Sequence, residues 1–331
     1  MATDLFAVAS GLDPAAIASA IPPACRRPVQ PPPLPTRDGD DAVVDAGPWT
    51  PRTPVRHLVP SLSVLADRRY AFRFEASARR GGAWSSWSAA AAIGDATFPP
   101  LDGDGALEPA VDLWTAREPV EAIRLRLRLR ADDPLALLRA PWLVTLSAWD
   151  GAPPAAPRAT GVRTLGVPAV SQMADGGAVA SRVCSPASVA MVLRYWGGGA
   201  EVAALAEEMF HPALDLYGVW PAAIRAAARR GVLGYLLRFP DWGAAAWCLE
   251  RGFPVIASIR YEAGELTGAA IAATAGHLVV LTGYDGDSVL VNDPAAADAA
   301  GVPRRYALAE LARVWLERSG VGYVLFAPSA V

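Results

Sequence analysis

Alternation of apolar and polar residues marks the strands expected in the first half of the chain. Residues 70–77 alternate large apolar side chains with small or charged ones, and residues 123–130 alternate isoleucine or leucine with arginine throughout. Residues 142–149 form a further apolar run, and Gly81-Gly82 supplies a turn. A period of two residues places alternate side chains on opposite faces of a sheet. Short strands separated by turns predict an all-β sandwich domain over residues 56–150.

Helical periodicity dominates after residue 161, and strands follow it. Apolar helical runs are predicted at residues 186–196, 202–210, 221–230 and 242–251, each ending near a glycine. Strands are predicted at residues 254–259, 277–284, 288–292 and 322–326, with a last helix at residues 308–316. Helices followed by antiparallel strands predict an α+β domain over residues 162–331.

Proline marks the two remaining segments. Residues 1–55 show little periodicity and contain Pro22-Pro23 and Pro31-Pro32-Pro33, which predicts an extended proline-rich N-terminal arm. Residues 151–161 are rich in proline and glycine and are predicted to link the two domains. The expected order is therefore arm, β-sandwich domain, linker and α+β domain.

Composition narrows the classes of protein that fit. Of the 331 residues, 53% are hydrophobic and 19% are charged, which is typical of a folded globular protein. The net charge of −3 provides no general electrostatic attraction to nucleic acid or to an anionic membrane. Lysine is absent, which excludes lysine-based catalysis.

Two features of the β region have alternative interpretations. The arginines of residues 123–130 could bind a polyanion, but a solvated face that discourages aggregation of strand edges is favoured. Asp102 and Asp104 could hold a calcium ion, but the loop lacks further ligands, so a turn is favoured.

The compartment is predicted only by default. No segment has the roughly 18 apolar residues needed to span a bilayer. The N-terminus has no arginine before Arg26 and is interrupted by Asp4 and Asp13, so it is a poor secretory signal. A cytoplasmic protein is the default expectation, with an extracellular one reached by another route as the alternative.

The three cysteines differ in their surroundings. Cys25, Cys184 and Cys248 are too few and too scattered for a disulfide framework or a zinc site. Cys248 lies in an apolar helical run and is expected to be buried. Cys184 precedes Pro186, a residue suited to the first turn of a helix. A helix N-terminus favours a thiolate, so Cys184 is the candidate nucleophile, with a buried structural cysteine as the alternative.

A hairpin offers the partners that such a nucleophile needs. If residues 285–287 form a three-residue loop, His277 pairs with Ala295 and Asp293 lies diagonally across on the same face. A two-residue loop would place Asp293 on the opposite face. The residues thus permit a Cys184–His277–Asp293 triad, with Asn292 as the alternative orienting residue.

The evidence for the remaining candidate site residues is weaker, because only their position in the sequence indicates a role. Gln172 lies twelve residues before Cys184, where its amide could donate to an oxyanion together with the Cys184 backbone N–H. An ordinary loop glutamine is the alternative. Tyr217 and Trp220 are candidate walls of a substrate groove, although core packing explains them nearly as well.

Four motifs together resemble a known family. They are VPAVSQ at residues 167–172, CSPAS at 184–188, GHLVVLTGY at 276–284 and VNDP at 291–294. The chain over residues 160–331 resembles the papain-like cysteine peptidases of family C39, whose founding members cleave double-glycine leader peptides from bacteriocins. Many relatives are free-standing bacterial proteins that lack the transporter part and often carry a preceding β domain, and the chain resembles those.

The resemblance implies a role for each motif residue. Cys184 is implied as the nucleophile, His277 as general base and acid, Asp293 as the orienting carboxylate and Gln172 as the oxyanion donor. Where the family commonly has glycine after the cysteine, this chain has Ser185, which is expected to narrow the groove.

The expected function is a cysteine peptidase acting on a peptide or protein substrate without a metal or cofactor. One alternative is an acyltransferase or amidase that uses the same triad. Another is a decayed site in a binding protein, whose β domain would bind a peptide, a polysaccharide or another partner at the cell surface.

Overall fold

Three β-sheets and eight α-helices make up residues 2–158, 161–175 and 177–331, the part of the chain that the computed structural model describes. The chain is therefore of mixed α and β type. Residues 159–160 of the predicted linker lie outside the described residues. The helices are α1 (Pro14–Ser19), α2 (Pro134–Leu137), α3 (Gln172–Asp175), α4 (Cys184–Tyr195), α5 (Val202–Met209), α6 (Trp220–Ala228), α7 (Trp242–Glu250) and α8 (Leu308–Val314).

The first sheet combines strands from both ends of the N-terminal half. Its members are β1 (Thr3–Ser10), β2 (Arg26–Gln30), β5 (Val55–Val64), β9 (Leu107–Pro109), β10 (Trp114–Val120) and β12 (Trp142–Trp149). Their order across the sheet is β2-β1-β12-β5-β10-β9. Strand β1 pairs antiparallel with the whole of β12, from Thr3 opposite Trp149 to Ser10 opposite Trp142. The first residues of the chain are thus built into the interior of this sheet.

The prediction of an N-terminal arm is wrong. Strand β1 has both faces covered: Leu5 packs in one apolar cluster, while Phe6 packs in another and stacks on Trp49 with ring centroids 5.2 Å apart. A strand buried on both faces carries apolar residues at successive positions and shows no alternation. The proline runs that indicated an arm occupy the connections on either side of β2.

The second sheet carries the arginine row. Its strands are β3 (Thr36–Asp38), β4 (Asp41–Trp49), β6 (Ala71–Arg80), β7 (Ala83–Trp84), β8 (Ser88–Ala89) and β11 (Ala122–Arg130). The order is β3-β4-β11-β6-β7, and β8 also pairs with β6. The isoleucine and leucines of β11 join an apolar core to which the first sheet also contributes.

The arginines of β11 do not form a simple solvated face. Arg128 is only 7% exposed, and its guanidinium lies 3.1 Å from Glu75 and 3.3 Å from Asp41, on the two neighbouring strands. Arg124 lies over the Trp84 ring, 4.0 Å from its centroid. Buried charges require such partners. The interpretation of the row as solvated is therefore wrong for Arg128, because its acidic partners come from other strands.

The third sheet belongs to the C-terminal half. It contains β13 (Val162–Thr164), β14 (Leu233–Arg238), β15 (Val255–Tyr261), β16 (Thr274–Asp285), β17 (Ser288–Asn292), β18 (Pro303–Ala307) and β19 (Val321–Phe326). The order is β14-β19-β15-β16-β17-β18, and β13 pairs with β16. Helix α4 packs against β16, and this contact joins the helical layer to the sheet.

Serine hydroxyl groups of the first sheet accept hydrogen bonds from β14, the edge strand of the third sheet. The Gly234 and Leu236 backbone N–H groups donate to the hydroxyls of Ser63 (3.0 Å) and Ser61 (3.2 Å). The Arg238 N–H donates in the same way to Ser147 at 3.0 Å. An unpaired edge would otherwise leave buried donors without acceptors. This contact fixes the first sheet against the C-terminal half of the chain.

Candidate active site

Cys184 is the first residue of helix α4, as expected of a nucleophile at a helix N-terminus. The preceding residue, Val183, provides no side-chain cap, so the N–H groups of the first turn remain available near the sulfur. Ser188, one turn further along, donates to the Leu278 backbone carbonyl at 3.1 Å. This bond holds the start of α4 against strand β16, which carries His277.

The β16–β17 hairpin places His277 and Asp293 on the same face, as expected, but its loop and strand register differ from the prediction. The loop between β16 and β17 has two residues, not three, because Asp285 pairs with Ser288. The register then shifts by one between Gly283 and Leu281, which leaves Thr282 as a β-bulge. A bulge inserts one extra residue and so reverses the faces beyond it. The prediction of a three-residue loop is wrong, and the bulge compensates for the missing loop residue.

His277 and Asp293 form a buried pair next to Cys184. The His277 Nε2 atom lies 2.8 Å from Asp293 Oδ1, and the two residues are 2% and 0% exposed. Asp293 also accepts hydrogen bonds from the Tyr306 hydroxyl at 2.6 Å and from the Ala295 N–H at 3.0 Å. Because Nε2 is engaged by the carboxylate, the other ring nitrogen of His277, Nδ1, is left for the sulfur of Cys184.

Asn292 does not take the orienting position. Its amide donates to the Val167 backbone carbonyl at 3.1 Å and so connects strand β17 to the segment before α3.

The electrostatics of the three groups favour charge separation. Burial opposes ionisation of Cys184, but the hydrogen bond and the positive charge of His277 outweigh it and lower the thiol pKa. Burial likewise opposes a charged His277, but its bonds to Asp293 and Cys184 raise its pKa to about 10. Burial also opposes ionisation of Asp293, but the hydrogen bond and charge of His277, with hydrogen bonds from Tyr306 and the Ala295 N–H, lower its pKa to about 2. A thiolate–imidazolium pair is thus favoured at neutral pH.

Tyr306 is a site residue that sequence reasoning missed. It lies on β18, a short strand that was not predicted, and no local motif connects it to the hairpin. Its hydroxyl engages the second oxygen of Asp293, so that carboxylate is held from both sides.

We expect Tyr306→Phe to weaken the orientation of His277 without removing any catalytic atom. Loss of this buried hydrogen bond to a carboxylate is expected to cost about 1.5–3 kcal/mol in the free energy of unfolding. The measurements are chemical denaturation and the rate of Cys184 alkylation by iodoacetamide, compared with Tyr261→Phe as a control. An unchanged stability together with an unchanged alkylation rate would contradict a positioning role.

Gln172 is buried at the start of α3, and its amide is already partly engaged. The Nε2 group donates to the Ala180 carbonyl at 2.8 Å, while the Oε1 atom is buried and has no hydrogen-bond partner within the described ranges. An amide nitrogen carries two hydrogens, so one remains free for a further acceptor. Gly176, the next residue in the sequence after α3, lies outside the described residues.

Cys184 opens into a cleft of about 640 Å³. Tyr217 and Trp220 line this cleft, and their role as walls of a substrate groove stays a prediction. Ser185 does not line it: the residue is fully buried, and its hydroxyl lies 3.3 Å from the Tyr323 hydroxyl. The expectation that Ser185 narrows the groove is therefore wrong, because the helix turns its side chain away from the cleft.

The other cysteines and histidines lie in different environments. Cys25 and Cys248 are buried, and burial raises both pKa values, that of Cys25 to about 12. His57 stacks on Trp149 in the first sheet. His211 lies two residues after the end of α5 and does not line the cleft.

The described residues contain no group of three or more His, Cys, Asp or Glu side chains placed to hold a metal ion. None of their helices is both long and apolar enough to cross a membrane. Asp104 accepts from the Ala106 N–H at 3.0 Å, which is the geometry of a turn, and from the N–H of Ser86, 18 residues earlier in the chain, at 2.8 Å.

Two solved structures are similar to part of the chain. The chain is similar to the peptidase domain of Streptococcus ComA, a bi-functional ABC transporter involved in a quorum-sensing pathway, with 18% identity and a TM-score of 0.35. That similarity covers 44% of this chain and 93% of the other. A C39-like peptidase from Bacillus anthracis is also similar, with 18% identity, a TM-score of 0.40, and coverage of 50% of this chain and 98% of the other.

No curated protein matches the chain. Residues 164–323 match the model of the Peptidase_C39 like family, and Cys184, His277 and Asp293 all lie within them. This segment of the chain belongs to the Peptidase_C39 like family.

Proposed function

We propose that the protein is a cysteine peptidase that hydrolyses peptide amide bonds. The observation that carries the proposal is the position of His277, whose ring bridges the Cys184 thiol and the Asp293 carboxylate at an open cleft. A nucleophile, a base and a group that orients the base are the components of nucleophilic amide hydrolysis. Membership of residues 164–323 in the Peptidase_C39 like family supports the same conclusion.

The first half of the reaction follows from the charged pair. The Cys184 thiolate attacks the carbonyl carbon of the substrate, and the electron pair of the C=O bond moves to oxygen. The Cys184 backbone N–H and the free hydrogen of the Gln172 amide are proposed to donate to this oxyanion. One such donor is worth about 3 kcal/mol in comparable sites. When the C–N bond breaks, the imidazolium of His277 gives its Nδ1 proton to the departing amine, which leaves a thioester.

The second half returns the enzyme to its starting state. Neutral His277 takes a proton from a water molecule, which attacks the thioester carbonyl. The C–S bond then breaks, the carboxylic acid product leaves, and Cys184 is again a thiolate opposite an imidazolium. Asp293 stays ionised throughout and keeps the ring oriented. A transferase would follow the same course with an amine in place of water.

The test uses the whole chain with a peptide library prepared from a proteome. We expect the wild-type protein to generate new peptide termini, detected by mass spectrometry, while Cys184→Ala generates none above background. Cleavage in H₂¹⁸O is expected to place one ¹⁸O in each new carboxyl group. Transfer to an added amine without ¹⁸O incorporation would instead indicate an acyltransferase. Absence of products from the wild-type protein would contradict the proposal.

A further inference from the structure

One wall of the cleft comes from outside the segment that matches the family. The loop between β9 and β10 of the first sheet brings Val111, Asp112 and Leu113 to the same cleft as Cys184. The N-terminal half therefore lines the cleft as well as packing against the C-terminal half. A substrate in this cleft would contact both.

Asp112 has a structural contact and an unused oxygen. Its Oδ1 atom accepts a hydrogen bond of 2.6 Å from the Trp220 N–H, at the first residue of helix α6. Its second oxygen accepts no hydrogen bond from any residue that the structure describes. The side chain is half-buried and lines the cleft. One oxygen thus anchors the carboxyl, while the other is available to a ligand.

The charge of Asp112 is not compensated within the chain. Across the described ranges, no arginine or histidine nitrogen lies within 4.0 Å of its carboxylate. Burial raises its pKa to about 7, opposed only by the hydrogen bond from Trp220. A partly buried carboxylate in this situation gains most from a cation brought by the substrate.

The arginines on the cleft do not supply that cation. Arg182 is paired with Asp215 at 2.9 Å, and Arg318 is paired with Glu265. Arg260 lies exposed on the rim and does not affect the pKa of Asp112. Among the residues that the structure describes, Asp112 is thus a carboxylate on the cleft wall with no cationic partner within 4.0 Å.

We propose that Asp112 is a specificity-determining residue that binds an ammonium or guanidinium group of the substrate beside the bond cleaved at Cys184. This assignment rests on the proposed peptidase function and adds the charge of the substrate to it. The cation could belong to a lysine or arginine side chain or to the amino terminus of the peptide.

The test compares covalent capture of Cys184 by tripeptidyl chloromethyl ketones. One series is N-acetylated and carries lysine or norleucine at each position in turn, and a second series has a free amino terminus. The measured quantity is the ratio of second-order labelling rates for the cationic and neutral members of each pair. We expect a ratio of about tenfold in the wild-type protein, as for one close charge pair. The pair that shows the preference identifies the source of the cation.

Asp112→Asn separates charge from structure, because its amide oxygen can still accept the hydrogen bond from Trp220. We expect the preference to fall below about twofold in this variant. Asp241→Asn is the matched control, since Asp241 is also half-buried and also caps a nine-residue helix, α7, but does not line the cleft. Its preference is expected to equal that of the wild-type protein.

The inference and the proposed function can fail separately. If Cys184 is labelled readily but the ratios are near one, or are the same in Asp112→Asn, the role of Asp112 is wrong and the peptidase proposal stands. If no probe labels Cys184, the peptidase proposal is contradicted. In that case the same peptides are prepared as unreactive amides. Their binding to Cys184→Ala, measured by fluorescence anisotropy, still tests the charge preference. Equal affinity for lysine and norleucine peptides, and for free and acetylated termini, would overturn it.

Discussion

Replacement of His277 by alanine is expected to slow the alkylation of Cys184 by iodoacetamide about 100-fold at pH 6. The thiolate is the reactive form, and an ordinary thiol with a pKa near 8.5 is less than about 1% ionised at that pH. His277 is the group that overcomes burial and lowers the thiol pKa. The measurement is the rate of adduct formation at Cys184, followed by peptide mapping.

The pH profile distinguishes loss of the ion pair from loss of the fold. In the wild-type protein, the low thiol pKa and the raised His277 pKa of about 10 keep the pair charged from weakly acid to alkaline pH. The rate should therefore fall only in acid, as the thiolate is protonated. In His277→Ala the fall should begin at higher pH, because burial then raises the thiol pKa and only the backbone hydrogen bonds from Leu278 and Ser185 oppose it. Cys25 and Cys248 serve as internal controls, since labelling there would report unfolding. Equal profiles in the two proteins would contradict the charged pair.

Replacement of Phe6 by alanine is expected to lower the free energy of unfolding by about 3–5 kcal/mol, the usual cost of deleting a buried aromatic ring. Phe6 is 3% exposed and stacks on Trp49 of strand β4, in the core that the first and second sheets share. Leu34→Ala is the matched control, because Leu34 lies in the same N-terminal segment and is 91% exposed. Its expected cost is below about 0.5 kcal/mol.

Chemical denaturation of the two variants measures both values. Similar small costs for Phe6→Ala and Leu34→Ala would mean that the N-terminal segment is dispensable, as an arm would be. A large cost for Phe6→Ala alone would show that the first strand is part of the folding unit. Because β1 pairs with β12, at the far end of the N-terminal half, this loss should affect the whole first sheet.

Local patterns were informative for helices with one exposed face, since α5 and α7 end within one residue of prediction. Strand Trp142–Trp149 also has the predicted bounds, although it is buried throughout. Strand β14 was missed because a short apolar run such as LGYLLR fits a helix as well as a strand, and β18 because its sequence PRRYA has little strand character. Burial on both faces is decided by what packs against a strand, which the strand itself does not encode.

At the site, local patterns identified the chemically suited residues: a cysteine before a proline at a helix start, and a histidine and an aspartate on a hairpin. The shared face of His277 and Asp293 was fixed by tertiary structure, because it depends on the bulge at Thr282, which no residue pattern indicates. Tertiary packing also brought Tyr306 to the site from the next strand, and Asp112 from a loop in the N-terminal half of the chain. Bulges and long-range contacts depend on how elements pack, whereas turn and cap signals act within a few residues.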